Sequence, residues 1–265
     1  MRLPPASLVA VTMSTALPPT RTPDQVSAPN LVMQQPPDCS FEGWNPEVFE
    51  LLGRLRETPH IDQYNEEKPH LHELLKTPFK RYRNDLVVNW VLPSRLDFET
   101  ERYVFSRLLK NDFGAGGCHD NLWLAFYRPH TKRLKDVQIS HRIDPDGFQV
   151  GVFVGAHATD LLNQAQQHIK QAPATYLDYV NACLTREGEQ WRFYYRTRRG
   201  ADPVYHTDRL TEVPDALNKA TGIWLRRFMP RDQVLEWGAR LVSEALQTVR
   251  CVWPIYRFYL QSPPV

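Results

Sequence analysis

The spacing of apolar residues changes once along the chain, from helical to alternating. In the first half, Val48, Leu51, Leu52 and Leu55 recur at helical intervals. Asn45-Pro46 precedes them as an N-cap followed by proline at the first helical position, and Pro59 closes the segment. A second helical stretch is expected around Leu71–Leu75. A third is expected over Phe79–Trp90, with Phe79, Leu86, Val87 and Trp90 apolar, ended by Pro93. Leu96–Lys110 is a fourth, through Tyr103, Val104, Leu108 and Leu109.

The pattern then switches to a period of two. Asn121–Tyr127 is short, apolar and aromatic. Over Lys135–Ile143, Val137, Ile139, His141 and Ile143 fall on one face and Gln138, Ser140 and Arg142 on the other. Asp144-Pro145-Asp146-Gly147 reads as a turn, with Gly147 at positive φ, and Phe148, Val150, Val152 and Val154 alternate back. Helices are expected over Asp160–Gln171 and Pro173–Cys183. A second hairpin is expected from Gln190–Thr197 and Pro203–Leu210, turning at Gly200-Ala201-Asp202. Gly222–Phe228 reads as a further strand. Arg231–Val249 reads as a long amphipathic helix, with a final helical turn or two containing Pro254 and Tyr256.

These elements define an α+β fold. A mainly antiparallel sheet of hairpins packs against helices, the N-terminal half is helical, and a long amphipathic helix ends the chain. Residues 1–40 stand apart. They hold eight of the 22 prolines and no apolar period, so they are expected to form a disordered tail that packs against nothing. Residues 41–265 are then expected to be a single domain, with no internal repeat and no second linker.

Composition narrows the function classes. The net charge of +2 gives no sign of a bulk polyanion partner. The segment from Arg186 onward is more basic, with 13 Lys and Arg against 9 Asp and Glu. Arginine outnumbers lysine 24 to 8, which suits phosphate recognition but also follows from GC-rich coding. Cys39, Cys118, Cys183 and Cys251 are far apart and lack zinc-site spacing, so reduced thiols in a cytoplasm are expected. Ser7–Met13 imitates a signal peptide but is short and interrupted, and Met13 and Met33 are alternative starts. No stretch has the length needed to span a bilayer. No metal site and no cofactor are expected.

Three groups of residues carry candidate chemistry. Gly114–Asn121 places Cys118 beside His119 and Asp120, the residue types of a thiol nucleophile, base and orienter. A tight turn from one element to the next explains the same residues. His141, among Val137, Ile139 and Ile143, would complete such a site or else be a hydrogen-bonded core histidine. Glu66-Glu67-Lys68 has nuclease-like spacing but lies in a charged helical stretch, which points to a solvated face. The third group is Trp191-Arg192-Phe193-Tyr194-Tyr195-Arg196-Thr197-Arg198-Arg199. Arg192, Tyr194 and Arg196 share one strand face there, where guanidinium groups could hold phosphates and Tyr194 could stack a base. Arg198, Arg226 and Arg227 extend the pattern, and Phe79–Arg83 is a lesser version of it. An amphipathic strand with its arginines lying over the sheet is the plain alternative.

Leu108-Leu109-Lys110-Asn111-Asp112-Phe113-Gly114, through Gly117-Cys118-His119-Asp120 to Trp123 and Ala125-Phe126-Tyr127, resembles an uncharacterised bacterial domain. That domain occurs alone or ahead of McrB- and MoxR-like AAA+ ATPase modules. The likeness continues through Val137–Val154 and returns at Trp253–Phe258. It implies an accessory or targeting role near ATP-driven machines in defence against foreign DNA, and it assigns no catalytic residue. The chain has no G-x-x-x-x-G-K-[ST] motif, so the ATPase would be a separately encoded partner. The leading expectation is a non-enzymatic binding or adaptor domain with a protein partner and nucleic acid as a candidate ligand. Its rivals are a hydrolase using the Gly114–Asn121 loop with His141, and a purely structural interaction protein.

Overall fold

The computed structural model describes residues 19–198 and 200–261. Six strands form one antiparallel sheet: β1 (Leu122–Phe126), β2 (Gln138–Asp144), β3 (Gly147–Gly155), β4 (Gln190–Arg196), β5 (Val204–His206) and β6 (Gly222–Pro230). Their order is β1-β2-β3-β6-β4-β5. The last strand in sequence is therefore central. It joins the two hairpins, pairing with β3 from Gly147↔Pro230 to Gly155↔Gly222 and with β4 from Gln190↔Phe228 to Arg196↔Gly222.

The helices are α1 (Glu47–Glu57), α2 (Ile61–His70), α3 (Thr77–Leu86), α4 (Thr159–Gln171), α5 (Pro173–Leu184), α6 (Arg231–Trp237) and α7 (Leu241–Leu260). Leu71–Lys76 and Val87–Val91 are π-helical turns that make 61–91 nearly continuous. The expected α+β class, hairpin sheet and long C-terminal helix are all present. At the start of α1, the Asn45 side chain accepts from the Glu47 amide at 2.9 Å.

Alternation along the strands sends one face into the helices. Phe148, Val150, Val152, Val154, Phe193, Ile223, Leu225 and Met229 are all fully buried there, against helices that include α7. Each aliphatic side chain so covered contributes roughly 1.5–3 kcal/mol. Even-numbered residues of β2, β4 and β6 point the other way.

Three expectations are corrected. Leu96–Lys110 is not a helix. Arg95 and Tyr103 take positive φ of 54° and 56°, which no helix accommodates. The segment instead runs along the outer edge of β1, bridging Glu99 to Tyr127, Phe105 to Leu124 and Leu109 to Cys118. Covering an edge strand satisfies backbone groups that a helix would leave open.

The helix expected over Arg231–Val249 breaks at Gly238, where φ is 52°. There the backbone meets Gly43, and a Cβ on Gly43 would lie 2.6 Å from the Gly238 Cα. Beyond the break, α7 continues through Pro254 and absorbs the expected final turns.

The third correction concerns the tail. Residues 1–18 lie outside the described residues. Residues 19–40 are packed, with Val26 2% and Leu31 4% exposed. The Val26 carbonyl accepts from Trp253 Nε1 at 2.7 Å and the Asp24 carbonyl from Arg257 Nε at 2.8 Å. Asp85 receives the amides of Ser40 and Phe41 at 3.0 and 2.8 Å. Proline density discourages helix and strand here, but short 3₁₀ turns suffice to bury two aliphatic anchors.

Gly147 has a φ of 151°, at the positive-φ turn position expected for it. It also has a neighbour that the sequence did not show. A Cβ there would stand 2.2 Å from the Met229 carbonyl oxygen of β6. Gly147→Val is therefore expected to destabilise by more than about 2 kcal/mol, because conformational strain and a backbone clash add. Urea unfolding that finds a loss within a few tenths of wild type would contradict this.

Candidate nucleic-acid interface

The face turned away from the helices carries a row of directly opposed residues across β2, β3, β6, β4 and β5: Gln138, Phe153, Trp224, Tyr194 and Tyr205. The rings are in contact along this row, the first two pairs stacked and the last tilted. Phe153 and Trp224 are 4.5 Å apart at 19°, Trp224 and Tyr194 5.0 Å at 7°, and Tyr194 and Tyr205 4.9 Å at 40°. Two glycines permit it. A Cβ on Gly155 would lie 2.3 Å from Phe153 Cζ, and one on Gly222 2.5 Å from Trp224 Cη2. Glycine weakens a strand interior, so its presence here marks a space that another group occupies.

Two residues further along the strands, Ser140, Gly151, Arg226 and Arg192 are opposed. Arg226 crosses Gly151, where a Cβ would lie 2.8 Å from its Cγ, and reaches Ser140 Oγ at 3.3 Å. Arg192 lies over the Phe228 ring at 4.1 Å and Arg196 lies 5.7 Å from the Trp224 centroid. Together with Arg142, these arginines line a cleft of about 390 Å³ whose walls include Trp224, Tyr194 and Tyr205.

The charges in this cleft are incompletely matched. Asp146 is held from outside by Arg56, through two bonds of 2.9 Å, which lowers its pKa. Asp144 is buried, and desolvation pushes its pKa up against the opposing pull of Arg142. Its carboxylate accepts from the Asp146 amide at 3.1 Å and from Gln149 Nε2 at 2.9 Å. Arg142 Nε lies 3.2 Å from Asp144 Oδ2, off the line of a hydrogen bond. Among the described residues no carboxylate lies within 4.0 Å of Arg226, Arg192 or Arg196. The Arg226 Nε is buried with no acceptor, and burial pulls its pKa down.

Of the arginines singled out in the sequence, Arg192, Arg196 and Arg226 line the cleft, as does Tyr194. Arg198 is exposed in the bend after β4 and is not part of the lining. Arg227 is a correction. It falls on the helix face with Leu225 and Met229, buried to 4% exposure. Its Nη1 donates to Glu244 Oε2 at 3.0 Å and to Thr248 Oγ1 at 3.4 Å, so it is a structural ion pair. Tyr194 is corrected in role, because Trp224 and Tyr205 occupy both faces of its ring. Phe153, Tyr205 and Arg142 were missed. Strand parity could have found Phe153 and Arg142, since both alternate with buried aliphatic residues.

The catalytic candidates do not converge. Cys118 is buried, its thiol donates to the His60 carbonyl at 3.6 Å, and burial pushes its pKa up, the reverse of an activated thiolate. Asp120 accepts from Arg56 at 2.8 Å and from Asn121 at 2.9 Å, leaving His119 without an orienter. His119 is exposed and faces a different hollow, with Arg107 and Leu109. His141 is fully buried on the helix face, with Nδ1 2.8 Å from the Tyr82 hydroxyl. Burial brings its pKa down to about 3, so it stays neutral. Glu67 is held by Arg54 at 2.6 Å while Glu66 and Lys68 are exposed.

Among the described residues no three His, Cys, Asp or Glu side chains gather to hold a metal ion. No helix among them is long and apolar enough to cross a membrane. The chain matches no protein-family profile and is similar to no curated protein at a significant level.

Proposed function

We propose that the protein is a non-enzymatic binding module whose open sheet face holds a single strand of nucleic acid by its phosphates. The observation that carries this is Arg226, a half-buried guanidinium at the cleft floor with a hydroxyl partner, an Nε that has no acceptor, and no carboxylate within 4.0 Å among the described residues. Burying an unpaired charge is unfavourable, and a chain keeps one where a ligand supplies the missing partner. A guanidinium fork matches phosphate geometry, and Arg142, Arg192 and Arg196 converge on the same space. Tyr205, 54% exposed at the end of the aromatic row, offers an open ring face to a base. A cleft of about 390 Å³ suits one strand with its bases turned out rather than a duplex. In this role the domain would present nucleic acid to a protein partner, and an AAA+ ATPase is the kind that the resemblance expected from the sequence would imply.

Titrating labelled single-stranded and duplex oligonucleotides at two salt concentrations tests the proposal. Single strands should bind more tightly, and affinity should fall steeply with salt. Arg192→Ala and Arg196→Ala should each reduce the salt slope by about 0.7 for each phosphate that is no longer neutralised. Tyr205→Ala should weaken binding by roughly 1–3 kcal/mol with little change in slope, because stacking is not ionic. No binding of either form at low salt would overturn the proposal.

A further inference from the structure

The sheet cleft is the first of three linked hollows. Trp123 lines both the cleft and a second hollow of about 370 Å³ beyond it. Arg133 lies over the Trp123 ring at 4.3 Å and lines the second hollow and a third of about 260 Å³. Tyr103 and Leu134 also border both of these. Their charged side chains are all basic: Arg107 and Arg133 in the second, Lys132, Arg133 and Lys135 in the third, with no carboxylate in either lining.

Tyr103 is held in an unusual way. It is 82% exposed and its φ is 56°, a conformation that is strained for a bulky side chain. The Arg133 guanidinium donates to the Tyr103 carbonyl at 2.7 Å and stabilises that backbone. The result is an aromatic ring presented to solvent beside three cationic side chains that have no acidic partner among the described residues. Exposed hydrophobic groups within a cationic field fit a ligand with both flat apolar surfaces and negative charge.

We infer that the strand held in the sheet cleft continues over Trp123 onto this ledge, where Arg107, Lys132 and Lys135 meet further phosphates and Tyr103 stacks a further base. The inference rests on the proposed nucleic-acid role and extends it from a pocket to a track. A mononucleotide would use the cleft alone, whereas a strand would use all three hollows.

Oligonucleotide length separates the two. Wild-type protein should bind a strand of about 12 nucleotides more tightly, and with a steeper salt slope, than one of about 4 nucleotides. The combined variant Arg107→Ala, Lys132→Ala and Lys135→Ala should lower the slope for the long strand by about 2 units, at roughly 0.7 per phosphate, and leave the short strand unchanged. All three side chains are exposed, so the fold should be unaffected. Tyr103→Ala should weaken the long strand about tenfold without altering its slope. If the short strand binds and the triple variant leaves the long strand unaltered, the ledge is overturned while the cleft stands. If neither strand binds wild-type protein, the nucleic-acid role itself fails and the ledge with it.

Discussion

Replacing Arg226 by methionine should weaken single-strand binding about a hundredfold and at the same time raise the melting temperature. Both halves follow from one side chain. In the free protein its buried Nε has no acceptor and no carboxylate among the described residues lies within 4.0 Å, so desolvation outweighs the more distant pull of Asp144. A methionine of similar length fills the space over Gly151 without that penalty. Replacing buried charges by apolar side chains often stabilises by about 1–4 kcal/mol. Because Arg226 is only half-buried overall, the low end applies, about 1 kcal/mol, or roughly 2–4 °C. With ligand bound, the same change removes a desolvated charge pair, which commonly costs 2–5 kcal/mol in affinity. Arg226→Lys should fall between, keeping the charge and losing the fork. Thermal unfolding and oligonucleotide titration on the same samples make the check. A methionine variant that is less stable than wild type would show that Arg226 serves the fold. One that binds as well as wild type would remove it from the site.

The sequence displays the parity of β2, β3, β4 and β6, and parity alone assigns the two faces. It places Arg192, Tyr194 and Arg196 together and His141 among the aliphatic residues. It also contains the means to separate Arg226 from Arg227, since Leu225 and Ile223 fix the buried face, although their shared basic character groups the two. Strand order was not legible. Nothing local shows that Gly222–Pro230 passes between the two hairpins, yet that placement stacks Trp224 between Phe153 and Tyr194 and brings Arg226 to the middle of the cleft. The same insertion sets the Met229 carbonyl against Gly147. The Leu96–Lys110 segment misleads because its apolar residues match a helical interval as well as an irregular edge. The positive φ at Tyr103 that decides between them depends in part on Arg133, thirty residues away.

Deleting residues 1–40 should leave a chain that is unfolded or close to it, contrary to what its proline content suggests. The deletion removes Val26 and Leu31 from the core, strips Trp253 and Arg257 of backbone partners, and takes the Ser40 amide and hydroxyl from Asp85, which keeps only the Phe41 nitrogen of the three. Burial of the two aliphatic side chains contributes roughly 1.5–3 kcal/mol each. Leaving the buried Trp253 Nε1 unsatisfied costs roughly 1–3 kcal/mol, and taking both Ser40 donors from Asp85 Oδ1 costs a similar amount. The sum is on the order of the entire stability of a typical domain, about 5–15 kcal/mol. Leu31→Ala, a milder version in the full chain, should lose about 2–4 kcal/mol by the large-to-small rule. Circular dichroism melts of wild type, the Leu31→Ala variant and the truncation would rank the three. The sheet cleft lies on the far side of the sheet from α7, so Leu31→Ala should bind oligonucleotide normally wherever it remains folded. A truncated protein that melts at the wild-type temperature would return residues 19–40 to the status of a dispensable tail.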